Sequence, residues 1–341
     1  TPGVPHVDLG KWADLMAIVP LSANTLAKIS TGQCGDFLGS IFLAWRQDRP
    51  VLMFPAMNTM MWAHAFTQEH ITKINKLPYA KVVDPAAGLL ACGDMGQGKL
   101  MDVDAIADLL EFYHPLKNVS KRVLITTGAT VAPLDPVRFM TNPSSGKTGI
   151  EIAKTYLREG AQVTLLVGHE LPAGLKALEA HPRCTVIHTP TTADMLREAK
   201  LAAPQADLII AAAAVADFEF NTASGKLKKD QLTTLPVVKA VDVLAELLTQ
   251  RTPKQKFISF AAETDTTEAI FREKFNRKPV DLMVGNRVHS GLLNEQKREG
   301  FSEDKGTYWF VSKETTSEGR ALSKSELARE ILSWDQTGRL S

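Results

Sequence analysis

Cysteine is scarce in this chain: Cys34, Cys92 and Cys184 are the three among 341 residues. An odd number at such wide spacing excludes a disulfide framework and points to a reducing compartment, the cytoplasm. Charge of one sign is missing as well. The 39 basic and 38 acidic residues leave a formal charge of +1, so no broad field draws nucleic acid or an anionic membrane surface. The longest apolar stretch, around Leu208 to Val215, falls far short of the roughly 20 residues that span a bilayer. Starting at Thr1 without Met, with a strand within its first turns of sequence, the chain reads as truncated or processed.

Two phosphate-binding fingerprints are also absent. Gly146-Lys-Thr148 invites comparison with a P-loop, but that motif requires a glycine where this chain has Thr141. Gly-x-Gly-x-x-Gly does not occur, which removes a nicotinamide-dependent oxidoreductase from consideration. There is no internal repeat and no low-complexity tract.

What is present is ordinary globular composition, 44% apolar and 23% charged, over a length that suggests about two domains. Short apolar strands alternate with amphipathic helices, as at Leu15 to Val19, Val51 to Phe54, Val123 to Thr126, Val163 to Val167, Leu208 to Ala213 and Leu282 to Val284. That alternation predicts an α/β class: two Rossmann-like three-layer domains with mainly parallel sheets. The polar, proline-bearing stretch from Phe112 to Arg122 interrupts it. A boundary is expected there, giving domains 1–118 and 119–341. Past it, a strand to Thr127, a long loop, a helix with Ile150, Ala153 and Leu157 on one face, a stop at Gly160 and a strand from Gln162 form a βαβ unit. Ligands bind in such loops at the carboxyl ends of strands.

The first segment carries four notable stretches: His6 to Asp14, Pro20-Leu-Ser-Ala-Asn-Thr25, Pro55-Ala-Met-Asn-Thr-Met-Met-Trp62 and Ala91-Cys-Gly-Asp-Met-Gly-Gln-Gly98. Taken singly, each has a plain structural reading. His6 could be a solvated residue ahead of a helix, Ser22 a helix cap, Asn58 a turn residue and Cys92 a small buried hydrophobe. Together, in this order, they resemble the flavin-dependent cysteine decarboxylases that include phosphopantothenoylcysteine decarboxylase. The resemblance implies that His6 assists FMN-dependent oxidation of a cysteine moiety, that Asn58 binds the carboxylate that leaves, and that Cys92 returns a proton to the enethiol. Ser22, Asn24 and Thr25 would belong to the FMN site, at a helix start that offers N–H donors. Leu100 replaces the Met common in relatives. Relatives also carry further residues ahead of His6, including the loop that grips the FMN phosphate, so this stretch alone is expected to hold FMN poorly.

In the second segment, the turn Ser144-Ser-Gly146 opening a helix reads either as an anion site or as an ordinary helix cap. Lys226, Lys228 and Lys229 would by themselves be a solvated basic patch. Asp135-Pro-Val-Arg138, Asn142-x-Ser-Ser-Gly-Lys147, Ala211 to Asp217, Lys226-Leu-Lys-Lys229, Phe260-Ala-Ala-Glu-Thr264 and Asp281 to Asn286 follow in the order of phosphopantothenate-cysteine ligase domains, which this segment resembles. The resemblance implies coupling of 4'-phosphopantothenate to cysteine, with CTP and Mg²⁺, through an acyl-cytidylate. It assigns Asn142 to polarising that intermediate, Lys226 to assisting its formation, and Arg138 to the phosphopantothenate end. CTP would be held by Ser144, Ser145, Gly146, Asp217, Lys226, Phe260, Lys274 and Lys278. No metal ligands are assigned. Where many relatives have Asn-Pro-Asp, this chain has Ala240-Val-Asp242. The family also implies homo-oligomers, dimeric for the ligase and trimeric for the decarboxylase. A competing reading keeps the ligase and makes the first segment a non-catalytic, flavoprotein-like binding or regulatory module.

Overall fold

A computed structural model describes residues 3–340 except 90–92, 94, 114–119, 171, 173, 180, 229–233, 236, 265 and 289–302. The chain forms two compact units, Thr1–Leu116 and Lys117–Ser341. Among the described residues no helix is long and apolar enough to cross a membrane.

In the first unit β1 (Met16–Leu21), β2 (Val51–Pro55) and β3 (Ala80–Val82) make a parallel sheet in that order. β2 is buried along its whole length, which is why it reads as an unbroken apolar run rather than an alternating one. Helices Ala23–Ser30 and Ala65–Asn75 cover it, with Leu26, Ile29, Ile71 and Ile74 packed on Ile18, Val51 and Met53. A hairpin of β4 (Ala86–Leu89) and β5 (Met95–Lys99) follows.

The second unit is built on an eight-stranded sheet. Its strands are β6 (Arg122–Thr127), β9 (Gln162–Val167), β10 (Cys184–His188), β11 (Leu208–Ala211), β14 (Lys256–Glu263), β15 (Leu282–Arg287), β16 (Lys305–Ser312) and β17 (Arg320–Ser323). They lie in the order β10-β9-β6-β11-β14-β15-β16-β17. The strands from β10 to β15 are parallel, and β16 and β17 close the edge antiparallel. Two hairpins project from this frame: β7 (Val131–Pro133) with β8 (Phe139–Thr141), and β12 (Phe218–Phe220) with β13 (Val237–Lys239).

Helices cover both faces, giving the three layers read from the sequence. On one face Thr192–Ala202, Val243–Leu248 and Glu268–Arg277 bury Met195, Leu247 and Phe271 against Leu124, Ile209, Phe257 and Met283. On the other, Lys147–Arg158 packs on β6 and β9 and against the last helix, Lys324–Thr337. That last helix opens with a capping box, Ser323 with Glu326, and ends at Gly338 with φ 72°. Its Asp335 is sealed from solvent, where it accepts hydrogen bonds from the Lys121 and Lys256 ammoniums and the Tyr156 hydroxyl.

Candidate functional site

The strand order reverses between β6 and β11, so the chain leaves these neighbours in opposite directions and a crevice opens above their carboxyl ends. A cavity of about 920 Å³ occupies that place. It is walled by Asn142 and Ser144–Thr148 from the loop after β6, by Ala211–Phe218 after β11, by Lys239–Leu244, and by Ser259–Ala262 on β14. Thr126, Thr127, Leu247, Lys274, Arg277, Lys278, Met283, Asn286, Val288, Tyr308 and Lys324 also line it.

Glycine shapes the phosphate-like end. Gly146 caps the helix Lys147–Arg158 with φ 71°, and any Cβ there would crowd Pro172 and Gly128. Gly149 lies so close to Thr127 that a side chain would collide with it. The Thr127 hydroxyl donates to the Gly146 carbonyl at 2.8 Å, fixing the turn from below. Buried Ser144, half-buried Ser145 and the first amides of a twelve-residue helix therefore border the cavity, an arrangement that favours an anion.

Lysine cations stand around this opening. Lys147 pairs with Asp304 at 2.8 Å, holding that carboxyl below its usual range. Lys324, only 6% exposed, donates to the Glu303 carbonyl. Burial pushes its ammonium down, and the neighbouring Lys147 charge adds to that. Lys274 pairs with Glu263, and Lys278 with Asp242 at 2.7 Å. Burial pushes the Asp242 carboxyl up, but the Lys278 ammonium and the Ala245 amide outweigh it and hold the group low. Asp242 thus keeps its helix-capping role in Ala240-Val-Asp242.

Asn142 bridges the switch point. Its Nδ2 donates to the carbonyls of Ala214 at 3.3 Å and Val215 at 3.4 Å, in the loop that follows the neighbouring strand. Asp217 is exposed at the end of that loop, its carbonyl accepting from Ala240 N–H at 2.9 Å. Phe260 is half-buried on β14. Of the residues named for nucleotide and intermediate, Asn142, Ser144, Ser145, Gly146, Asp217, Phe260, Lys274 and Lys278 line this one cavity.

Arg138 and Lys226 stand outside its wall. The Arg138 guanidinium donates through Nε and Nη2 to Asp135 Oδ2 at 3.0 and 2.5 Å, and from Nη2 to the Leu227 carbonyl at 2.9 Å. Asp135 also receives the amides of Val137, Arg138 and Leu227. The Arg138 hydrogen bond, with those amides, holds its buried carboxyl far below the ordinary range. Thr222 Oγ1 and Ala223 N–H donate to Pro133 and Leu134 carbonyls. The loop bearing Lys226 is thereby fastened to the 133–138 turn at three places, while Lys226 and Lys228 stay exposed. Lys229 lies outside the described residues.

In the first unit Ser22 caps the helix Ala23–Ser30, accepting from Thr25 N–H at 3.2 Å and donating to Thr25 Oγ1 at 3.1 Å. Asn24 is exposed beside it, and Leu21 is fully buried. The carbonyl of Leu21 receives Ala56 N–H, so this turn and the Met57-Asn58 loop adjoin at the carboxyl ends of β1 and β2. Asn58 Oδ1 caps Thr59–Ala63 by accepting from Met60 N–H at 2.8 Å. His6 is half-buried in the first turn of helix Pro5–Trp12. Cys92 lies outside the described residues. The strands flanking it belong to the β4–β5 hairpin, which docks on the Asn58 loop: Gly98 accepts from Met57 N–H at 3.0 Å, and side chains at Gly96 or Gly98 would collide with Thr59 or Met57.

Sequence reasoning passed over Lys324, Ser259 and Asp135. Lys324 and Ser259 sit in motifs that look purely structural, a helix start and a strand centre. Asp135 was quoted as part of a motif without a task of its own; its place three residues before an arginine was the available signal.

The family profile described as the DNA/pantothenate metabolism flavoprotein C-terminal domain matches residues 119–336, and the flavoprotein profile matches residues 1–112. The coenzyme A biosynthesis bifunctional protein of Mycobacterium tuberculosis is 35% identical, over 97% of this chain and 80% of its own length. This chain belongs to that bifunctional coenzyme A biosynthesis family. The Escherichia coli member is 33% identical over 88% of this chain and 72% of its own length. The DNA/pantothenate metabolism flavoprotein of Streptococcus pneumoniae shares the fold, with a TM-score of 0.53 at 22% identity, over 64% of this chain and all of that one. The family unites decarboxylase and ligase activities in coenzyme A biosynthesis, which favours two enzymatic units over a ligase with a non-catalytic companion.

Proposed function

We propose that residues 119–341 couple 4'-phosphopantothenate to cysteine at the expense of CTP, and that residues 1–118 serve the decarboxylation of the 4'-phosphopantothenoylcysteine so formed. The observation that supports this most strongly is the gathering of Asn142, Ser144, Ser145, Gly146, Asp217 and Phe260 around one switch-point cavity.

In the first half-reaction a carboxylate oxygen of phosphopantothenate attacks the α-phosphorus of CTP, and pyrophosphate leaves. In the second the cysteine amine attacks the acyl carbon, CMP leaves and the amine gives up a proton. No protein nucleophile is required, so the residues act by position and charge. The Ser144–Gly146 turn and the helix behind it receive the triphosphate, with Lys274 and Lys278 as further cations. Asp217 takes the ribose and Phe260 the base. Asn142 presents its amide to the acyl-cytidylate from a position set by two carbonyls. Lys226 assists formation of that intermediate from its anchored loop. Arg138 reaches the phosphopantothenate end through Nη1, since Nε and Nη2 are spent on Asp135 and Leu227.

Among the described residues no three His, Cys, Asp or Glu side chains converge to hold a metal. Mg²⁺ would ride on the substrate phosphates.

In the first unit the exposed Ser22 and Asn24 at the start of the helix Ala23–Ser30 suit one edge of a flavin, and with Thr25 they would hold FMN. FMN, when bound, would supply the two-electron oxidation of the cysteine moiety and, once reduced, the hydride that the enethiol takes up with a proton. His6 moves a proton, Asn58 orients the departing carboxylate without a cation that would stabilise it, and Cys92 returns a proton to the enethiol. Self-association, as a dimer through the ligase unit and a trimer through the decarboxylase unit, is supported in the ligase unit by exposed Phe139, Met140, Phe218, Val237 and Val238 on the projecting hairpins.

The deciding experiment incubates the protein with 4'-phosphopantothenate, cysteine and CTP and follows pyrophosphate. CTP-dependent release that requires phosphopantothenate is expected, with CTP outperforming ATP side by side. No release with any nucleotide refutes the ligase reading.

A further inference from the structure

Ser259 is 2% exposed on β14, between Ala211 of β11 and Met283 of β15 in register. Its hydroxyl is buried and has no hydrogen-bond partner among the described residues. Yet Ser259 is part of the cavity wall. Buried hydroxyls in folded proteins are nearly always satisfied, because leaving one unpaired forfeits its hydration with nothing in return.

Among the described residues no protein group satisfies it. Ala211 and Met283, its register neighbours, present only apolar side chains. The other end of the cavity has the opposite character, with the Ser144–Gly146 turn, Lys147 and Lys324. A triphosphate suits that end, and a flat ring with a polar edge suits this one.

We propose that Ser259 is a base-contacting, specificity-determining residue, whose hydroxyl donates to an acceptor on the pyrimidine edge of the bound nucleotide. The assignment rests on the nucleotide-binding reading given above and adds to it where the base lies and which side chain meets it. Ser259 does not enter the chemistry at phosphorus. Its contribution is made equally to substrate and transition state, so it belongs in KM rather than kcat.

The test uses the full chain with Ser259→Ala, which removes one oxygen from a wall position, and Ser259→Thr, which keeps the hydroxyl. For Ser259→Ala, KM for CTP is expected to rise roughly 3- to 10-fold, with kcat within about 2-fold, as for loss of one neutral hydrogen bond. Inhibition by inorganic tripolyphosphate, which has no base, should be unchanged, and Ser259→Thr should restore part of the CTP affinity. An unchanged KM for CTP overturns the assignment. So does an equal weakening of tripolyphosphate, which would make the hydroxyl a phosphate or folding group. If the unsubstituted chain neither turns over nor binds CTP, it is the nucleotide reading itself that fails.

Discussion

Arg138 holds the carbonyl of Leu227 at 2.9 Å while its other donors grip the buried carboxylate of Asp135. One ion pair therefore fixes both its own turn and the backbone next to Lys226. Replacing Arg138 with Ala should loosen residues 222–228, seen as faster amide exchange there. CTP-dependent coupling should fall roughly 10- to 100-fold, the usual cost of a misplaced catalytic loop. Arg138→Lys, which keeps charge but not the fork, should recover little. Normal turnover in Arg138→Ala would separate the ion pair from the loop's work.

The same carboxylate gives a pH signature. Its pKa is depressed in the folded chain, so its stabilising contribution is complete above the ordinary value of 3.8 and fades as pH falls toward the depressed one. Asp135→Asn should melt below the parent protein at neutral pH, and the gap should narrow as the pH drops through 4 to about 3. A gap independent of pH would mean that shape, not charge, matters at this position.

Asn142→Asp alters the residue that bridges the two loops at the switch point. A carboxylate there repels the anionic intermediate and loses the amide donor. Coupling to cysteine should slow by about 10²- to 10³-fold, the scale for one lost polarising donor, while acyl-cytidylate accumulates and can be trapped in acid quench. Unaltered coupling would remove Asn142 from the mechanism.

Lys147→Met keeps the helix start but withdraws a cation beside the Ser144–Gly146 turn. KM for CTP and the inhibition constant for pyrophosphate should rise together, roughly 3- to 10-fold, as for loss of one charge-assisted contact. An effect on CTP alone would place Lys147 away from the phosphates.

Asp335 belongs to stability rather than catalysis. Asp335→Ala strands Lys121, Lys256 and Tyr156 around an emptied site. Removing one member of a buried pair costs about 3–5 kcal/mol, and because both lysines are partly exposed about 2–3 kcal/mol is expected here. Chemical denaturation should show this loss with KM for CTP unchanged.

The α/β alternation, the βαβ unit after residue 121 and the crevice after its first strand were legible in the sequence, because buried parallel strands read as short apolar runs between helical stripes. Parts of the cavity wall, Asn142, Asp217 and Phe260, were legible too, through motifs that resemble those of the ligase family. What was not legible depends on pairs far apart in the chain. Nothing near Lys324 announces that Asp304 and Lys147 gather beside it, and the hold of Arg138 on Leu227 joins residues 89 positions apart. The antiparallel edge of β16 and β17 was likewise hidden, since direction leaves no mark on an apolar run.

In the first unit, the β4–β5 hairpin rests on the Asn58 loop with no side chain between them at Gly96 and Gly98. Gly98 also has φ 138°, a region where other residues are strained. Its neighbours Met95, Gln97 and Lys99 face solvent. A library varying this strand would therefore come back with alternating tolerance: almost any residue at the exposed positions, and hydrogen as the sole side chain at the two that touch the loop.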